Sequence, residues 1–167
     1  MRRACLLGTL FLIALACGDD GSGSAHRERA AVDFDGEECA ACGMIVREQP
    51  SPRAQLVHAD GTRLYFCAIA DMLTYLQAPS PHGAATAIHV EANDPAAGDP
   101  VAHDTGPRPW VAAASARFVV GIRRERVMGQ PVLAYEDDGD AGRIARRLGG
   151  EVTDWEGLQH RAQTEHD

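Results

Sequence analysis

Ala54-Gln55-Leu56-Val57-His58-Ala59-Asp60-Gly61-Thr62-Arg63-Leu64-Tyr65-Phe66 is the stretch from which the fold can be read. Asp60-Gly61 supplies the residue types that take up a tight hairpin turn, and the runs on either side suit a pleated, half-buried surface. Two antiparallel strands are therefore predicted, Ala54 to His58 and Arg63 to Phe66. Just downstream, Ile69, Met72, Leu73 and Leu76 recur at three- and four-residue spacing and fall on one face of a helix. Ala87 to Glu91 then reads as a third strand, so residues 37–92 form a β-β-α-β unit.

Working outward, residues 93–109 are dense in proline and glycine (Asn93-Asp94-Pro95, Gly98-Asp99-Pro100, Gly106-Pro107-Arg108-Pro109) and read as an irregular linker. The same order of elements recurs beyond it, over residues 110–160. Trp110 to Gly121 and Pro131 to Glu136 read as strands, and Asp140 can cap a helix from Ala141 to Leu148. Gly149-Gly150 ends that helix, Glu151 to Trp155 makes the last strand, and residues 161–167 read as a disordered tail. The fold class is α+β: two small consecutive β-β-α-β halves, an internal duplication of architecture in which the residues themselves scarcely repeat.

The N-terminal segment carries an address. Met1-Arg2-Arg3 is a short basic start and Ala4 to Ala16 is almost continuously apolar, too short to cross a bilayer core of about 30 Å as a stable helix. Ala14-Leu15-Ala16-Cys17 resembles the lipobox of bacterial lipoproteins, in which residues 1–16 are removed and Cys17 is acylated. The other reading is a plain secretory signal cut near Ala16. Residues 17–36, opening Gly18-Asp19-Asp20-Gly21-Ser22-Gly23-Ser24, look like a flexible tether between anchor and body.

Charge narrows the function. The 167 residues hold 24 acidic side chains against 16 basic ones, all of them arginine, for a net charge of −8. Such an acidic surface repels phosphate backbones, which excludes nucleic acid as a partner. The absence of lysine removes Schiff-base chemistry and Walker-type phosphate binding. Export also changes the reading of the cysteines. Cys5 leaves with the leader and Cys17 carries lipid, which leaves Cys39, Cys42 and Cys67. An odd number of thiols cannot all pair within one chain, so metal or redox chemistry is what remains.

Cys39-Ala40-Ala41-Cys42-Gly43-Met44 is where that chemistry concentrates. Two cysteines separated by two residues can share a metal or close a disulfide. A thioredoxin-like use of Cys39 and Cys42, as a periplasmic thiol-disulfide oxidoreductase, is the alternative function. It is opposed by Glu37 and Glu38, which disfavour a thiolate, and by Gln49-Pro50-Ser51-Pro52, which leaves little room for a following helix. Met44 favours metal. In an extended segment Cys42 and Met44 would point to the same side, and thiolate with thioether is a soft donor pair suited to Cu(I). Met128, in Val127-Met128-Gly129-Gln130-Pro131, is a further candidate sulfur that could equally fill a surface gap. Cys67 is either another donor or an inert buried thiol, and Met72 lies at core spacing. His58, His82, His89 and His103 are scattered, as surface or hairpin polar residues or at most one supplementary donor.

Taken together, these residues resemble the NosL copper lipoproteins, accessory factors of nitrous-oxide reductase. The likeness is carried by Cys39-Ala-Ala-Cys42-Gly43-Met44, by Phe66-Cys67-Ala68-Ile69-Ala70-Asp71-Met72-Leu73, and by the Trp110 strand ending in Ala116-Arg117-Phe118-Val119. It continues through Met128-Gly129, Tyr135 and Gly149-Gly150. The resemblance implies two β-β-α-β halves and Cu(I) held by Cys42 and Met44 with the distal Met128; Cys39 and Cys67 are further candidate donors. It also implies a non-enzymatic chaperone in the cell envelope, membrane-attached through lipidated Cys17. That chaperone would pass copper toward nitrous-oxide reductase together with an ABC-type transport complex.

Overall fold

The computed structural model describes residues 30–50, 52–97, 106–122 and 130–164. The hairpin forms where Asp60-Gly61 places it, between β1 (Ala54–His58) and β2 (Arg63–Phe66), with Ala54 opposite Phe66 and Leu56 opposite Leu64. Gly61 sits at φ 87°, a left-handed conformation that other residues adopt only with strain. The Asp60 carboxylate accepts the Thr62 N–H at 2.8 Å and meets His82 Nδ1 at 2.9 Å. Those two contacts, the Thr62 N–H foremost, hold the Asp60 carboxyl at about 2. A depressed carboxylate supports the fold above its ordinary pKa of about 4 and ceases to do so as pH falls through its folded value. An NMR pH titration of the Thr62 amide should therefore have its midpoint near pH 2.

α1 (Ile69–Leu76) buries Ile69, Met72 and Leu73, the stripe that the spacing predicts. β3 (Ala85–Glu91) returns antiparallel on the other side of β1, and β4 (Trp110–Ala112) extends the sheet to the order β2-β1-β3-β4. The second half repeats the plan with β5 (Arg117–Val120), β6 (Leu133–Tyr135), α2 (Asp138–Leu148) and β7 (Glu151–Thr153), in the order β6-β5-β7. In both halves the first strand is central. Its hairpin partner lies on one side and the strand after the helix on the other, which is the duplicated β-β-α-β architecture read from the sequence.

Four expectations give way. The single strand from Trp110 to Gly121 is broken by a 3-10 turn at Ala113–Ser115, where the Ala116 N–H reaches back to the Ala112 and Ala113 carbonyls. The alternation fades across Ala113-Ala114-Ser115-Ala116, and the chain switches sheets there. Ala113 and Ala116 are buried at the bend. The cap of α2 is Asp137, whose side chain accepts the Asp140 N–H at 2.9 Å, so the helix starts earlier than Ala141. It ends as expected at Gly149, φ 71°.

The last strand stops at Thr153, and the region read as strand end and tail forms α3 (Trp155–Thr164). Asp154 starts it by accepting the Gly157 N–H at 2.9 Å, and Leu158 anchors it in the core. Finally, the tether read for residues 17–36 ends sooner. The Gln55 side chain exchanges hydrogen bonds with the Val32 backbone at 3.0 and 3.2 Å, and Phe34 is buried with its ring 5.4 Å from Tyr65 and 5.7 Å from Trp110.

One apolar core unites the halves. Phe118 and Val120 of β5 and Leu158 of α3 join Leu56, Phe66, Met72 and Val90, while Val119 faces the other way into Leu133, Tyr135 and Ile144. Strand β5, buried on both faces, is the seam. A second tie is polar: the Arg53 guanidinium, 1% exposed, meets the Glu91 carboxylate at 2.6 Å. It also donates to the backbone carbonyls of Arg47 and Gly106, at 3.2 and 2.8 Å. Within the linker, Asn93 bonds to both backbone groups of Ala134, so its first residues are pinned against β6.

Candidate metal centre

The local sequence closes Cys39 to Met44 into a loop. The Cys39 N–H donates to the Met44 carbonyl and the Gly43 N–H to the Cys39 carbonyl, each at 2.8 Å. Gly43 makes the reversal at φ 74°. The loop is stapled beside β2 by the Ala40 N–H, which donates to the Tyr65 carbonyl at 2.9 Å, and by a parallel bridge between Cys39 and Tyr65. Two residues past Tyr65 comes Cys67, in the bend between β2 and α1, and Asp71 lies in the first turn of that helix. The hairpin and the loop thus bring residues 25 to 28 positions apart into contact.

One ligand atom from each of Cys39, Cys42, Cys67 and Asp71 lies within 4.8 Å of the others. The Cys42 and Cys67 sulfurs are 3.5 Å apart, the Cys67 N–H points at the Cys39 sulfur at 3.5 Å, and the Cys67 thiol donates to Asp71 Oδ2 at 3.0 Å. All three thiols are free. Cys39 and Cys67 are buried, 3% and 4% exposed, while Cys42 sits at the surface and Asp71 is half-buried. The cluster is therefore a sulfur floor with one sulfur at its rim.

The two buried thiols are shifted in opposite directions. Burial raises the Cys39 pKa, but backbone N–H groups of Cys67, Ala41 and Cys42 surround its sulfur, and the net shift is downward, toward the thiolate. Burial drives the Cys67 thiol strongly up, and its hydrogen bond to Asp71 adds to that, so it keeps its proton. Of the two, Cys39 is the more readily ionised and Cys67 the one that holds its proton.

The predicted residues fare differently. Cys42 is the exposed member of the cluster, and Cys39 and Cys67 lie buried beneath it. Cys42 and Met44 are not in an extended segment: Cys42 lies in the turn, Met44 is half-buried against the core, and its carbonyl is tied to Cys39. Met72 is buried in the core. Met128, Cys17 and His103 lie outside the described residues. His58 is not a surface residue; it is 2% exposed, donates Nδ1–H to the Gly83 carbonyl at 2.7 Å and accepts the Tyr75 hydroxyl at 3.0 Å. His82 pairs with Asp60, and none of His58, His82 or His89 reaches the thiols. Asp71 was not anticipated. The signal was present in Cys67-Ala-Ile-Ala-Asp71, a four-residue spacing across a helix start, where the first turn can fold a carboxylate back toward the residue before the helix.

Known proteins resemble this chain in sequence and in fold. The copper-binding lipoprotein NosL of Stutzerimonas stutzeri is 28% identical over 176 residues, covering 95% of this chain and 86% of the relative. The copper-binding lipoprotein NosL of Achromobacter cycloclastes is 26% identical over 152 residues, covering 90% and 76%. The crystal structure of the copper chaperone NosL from Shewanella denitrificans shares the fold, with a TM-score of 0.62 at 22% identity over 77% of this chain and 94% of that one. The NosL family model matches residues 32–162, from the segment behind the first sheet to the end of α3 but for its last turn, and the chain belongs to the NosL family.

Proposed function

We propose that this chain is an exported, lipid-anchored carrier of Cu(I) that hands its cargo on for assembly of the copper centres of a nitrous-oxide reductase, in concert with an ABC-type transport complex. The observation that carries the copper reading is the sulfur cluster with Cys42 exposed above buried Cys39 and Cys67. The named activity of the curated relatives supports it. The lipid anchor at Cys17, the client enzyme and the transporter rest on the sequence reading.

Soft thiolate and thioether donors select Cu(I) over the harder cations of the cell envelope. In this reading Cys42 receives and releases the ion, because it alone of the three thiols is open to an incoming donor. Met44 and the distal Met128 complete a low-coordinate site with it, and Cys39 and Cys67 are further candidate donors. A low coordination number leaves room for a donor on the partner, so transfer can run through a shared-ligand intermediate without free copper. The thiol-disulfide exchange alternative gains nothing from the geometry: a three-residue 3-10 turn, Val46–Glu48, follows the pair in place of a helix.

An anaerobic titration against a chromophoric Cu(I) chelator tests the reading. The chain should withhold one Cu(I) per molecule; a chelator that keeps all its copper would overturn it. The affinity should also rise with pH. Cys67 holds its proton in the metal-free protein and must give it up to bind as thiolate, so log K should climb by about one per pH unit for each proton displaced. The same competition run between pH 6 and 8 reads the slope; a flat profile would remove Cys67 from the ligand set.

A further inference from the structure

We propose that Tyr135, Arg108, Arg143 and Arg147 form a binding site for a small free oxyanion, of which inorganic phosphate is the type. The site lies in the second half, where the two ends of the linker meet β6 and α2, and it shares no residue with the sulfur cluster.

Tyr135 ends β6 and is 1% exposed, packed with Ala141, Ile144 and Ala145 of α2. Its hydroxyl is buried and has no hydrogen-bond partner among the described residues. A buried phenol O–H normally finds an acceptor, so this one is aimed at a group that the surrounding side chains do not supply. What surrounds it is positive. Arg147, Arg108 and Arg143 are the charges that act on it most strongly, ahead of the Asp140 carboxylate. Burial nonetheless pushes the hydroxyl up to about 12, so it remains a donor at neutral pH.

The arginines are placed by anchored backbone. Arg143 and Arg147 stand four apart on one face of α2. Both reach the start of the linker: Arg143 Nη1 donates to the Pro95 carbonyl at 3.2 Å and Arg147 Nη2 to the Ala97 carbonyl at 3.5 Å. Arg143 is also paired with Asp140, whereas the Ala97 carbonyl does nothing to balance the charge of Arg147. Arg108, half-buried, comes from the far end of the linker, two residues before β4. The result is a local reversal of sign on a chain whose net charge is −8. Guanidinium forks and a phenol O–H match the oxygens of a compact anion. A water can accept from the hydroxyl but leaves the positive charge unanswered, and an oxyanion answers both. Because the hydroxyl is buried, the anion that reaches it is small and unesterified. Its binding would tie both ends of the linker to α2.

The test is a calorimetric titration of the full, metal-free chain with inorganic phosphate at low ionic strength. One saturable site is expected, also filled by sulfate but not by chloride. Arg147→Gln should bind phosphate at least about tenfold more weakly, and Tyr135→Phe, which keeps the ring and removes only the donor, about tenfold more weakly. Arg146→Gln, the same charge change at an exposed neighbour outside the site, should bind as the parent does. Circular dichroism checks that all three fold. Glycerol 3-phosphate, the same group carried on an ester, should bind at least about tenfold more weakly than free phosphate. Absence of saturable binding, equal affinity in Tyr135→Phe and the parent chain, or equal losses in Arg146→Gln and Arg147→Gln would each overturn the proposal. Equal affinity for the ester would overturn its assignment to a free anion.

Discussion

Serine in place of Cys42 is expected to weaken Cu(I) binding by at least about 100-fold, beyond the 10–100-fold that follows loss of a group that merely supports a metal ligand. The substitution exchanges a soft, ionisable sulfur for a hard, neutral hydroxyl and changes little else. Cys42 is exposed and its side chain is no part of the packed core, so the fold should be indifferent to it. The same change at Cys67 removes a sulfur of the core as well and is expected to lower stability along with affinity. Competition with a chromophoric chelator, with unfolding curves run in parallel, separates the two outcomes. Equal affinity in Cys42→Ser and the parent chain would remove the rim sulfur from the copper site.

The second large effect concerns the fold. Glu91→Ala is expected to destabilise the protein by about 3–5 kcal/mol, because it leaves the buried Arg53 guanidinium without its counter-charge. Arg53 stands just before β1 and Glu91 at the end of β3, and the Glu91 N–H also donates to the Arg53 carbonyl at 2.9 Å. The pair therefore locks the register of the two central strands. Its reach is wider, since Arg53 holds the Arg47 carbonyl just beyond the metal loop and stacks 5.6 Å from the Phe34 ring. Urea denaturation should show a fall in midpoint at constant slope. The double replacement Arg53→Met/Glu91→Leu, which leaves no charge behind, should be less destabilised than Glu91→Ala alone.

Much of this architecture is legible in the chain because its strongest signals are local. Asp60-Gly61 fixes a turn, the Ile69-Met72-Leu73-Leu76 stripe defines a helix face, and Gly149 ends another helix; each acts over a few residues. The failures are where a distant partner decides. Ala113 to Ala116 carry too little side chain to declare a bend, and the sheet switch there is set by packing against the shared core. α3 has few apolar residues, and its single deep anchor, Leu158, is explained only by the core that the two halves share. His58 looks polar in sequence but is buried by partners, Tyr75 and Gly83, that lie beyond the hairpin.

The site divides in the same way. The cysteine pair and Gly43 announce a metal loop by spacing alone, and the left-handed Gly43 is the bend that the motif suggests. Cys67 could be read as donor or filler, because its role depends on a bridge between Cys39 and Tyr65 that no local pattern encodes. Asp71 is hidden for a related reason: on the helix it reads as an ordinary first-turn acid, and only the fold puts the thiols in front of it.

If sulfur from this cluster carries the copper, copper-edge X-ray absorption on the full chain loaded with one equivalent of Cu(I) should show it. A first shell of two or three sulfur scatterers is expected, with one sulfur lost in Cys42→Ser. A first shell of nitrogen and oxygen, unchanged by that substitution, would contradict it.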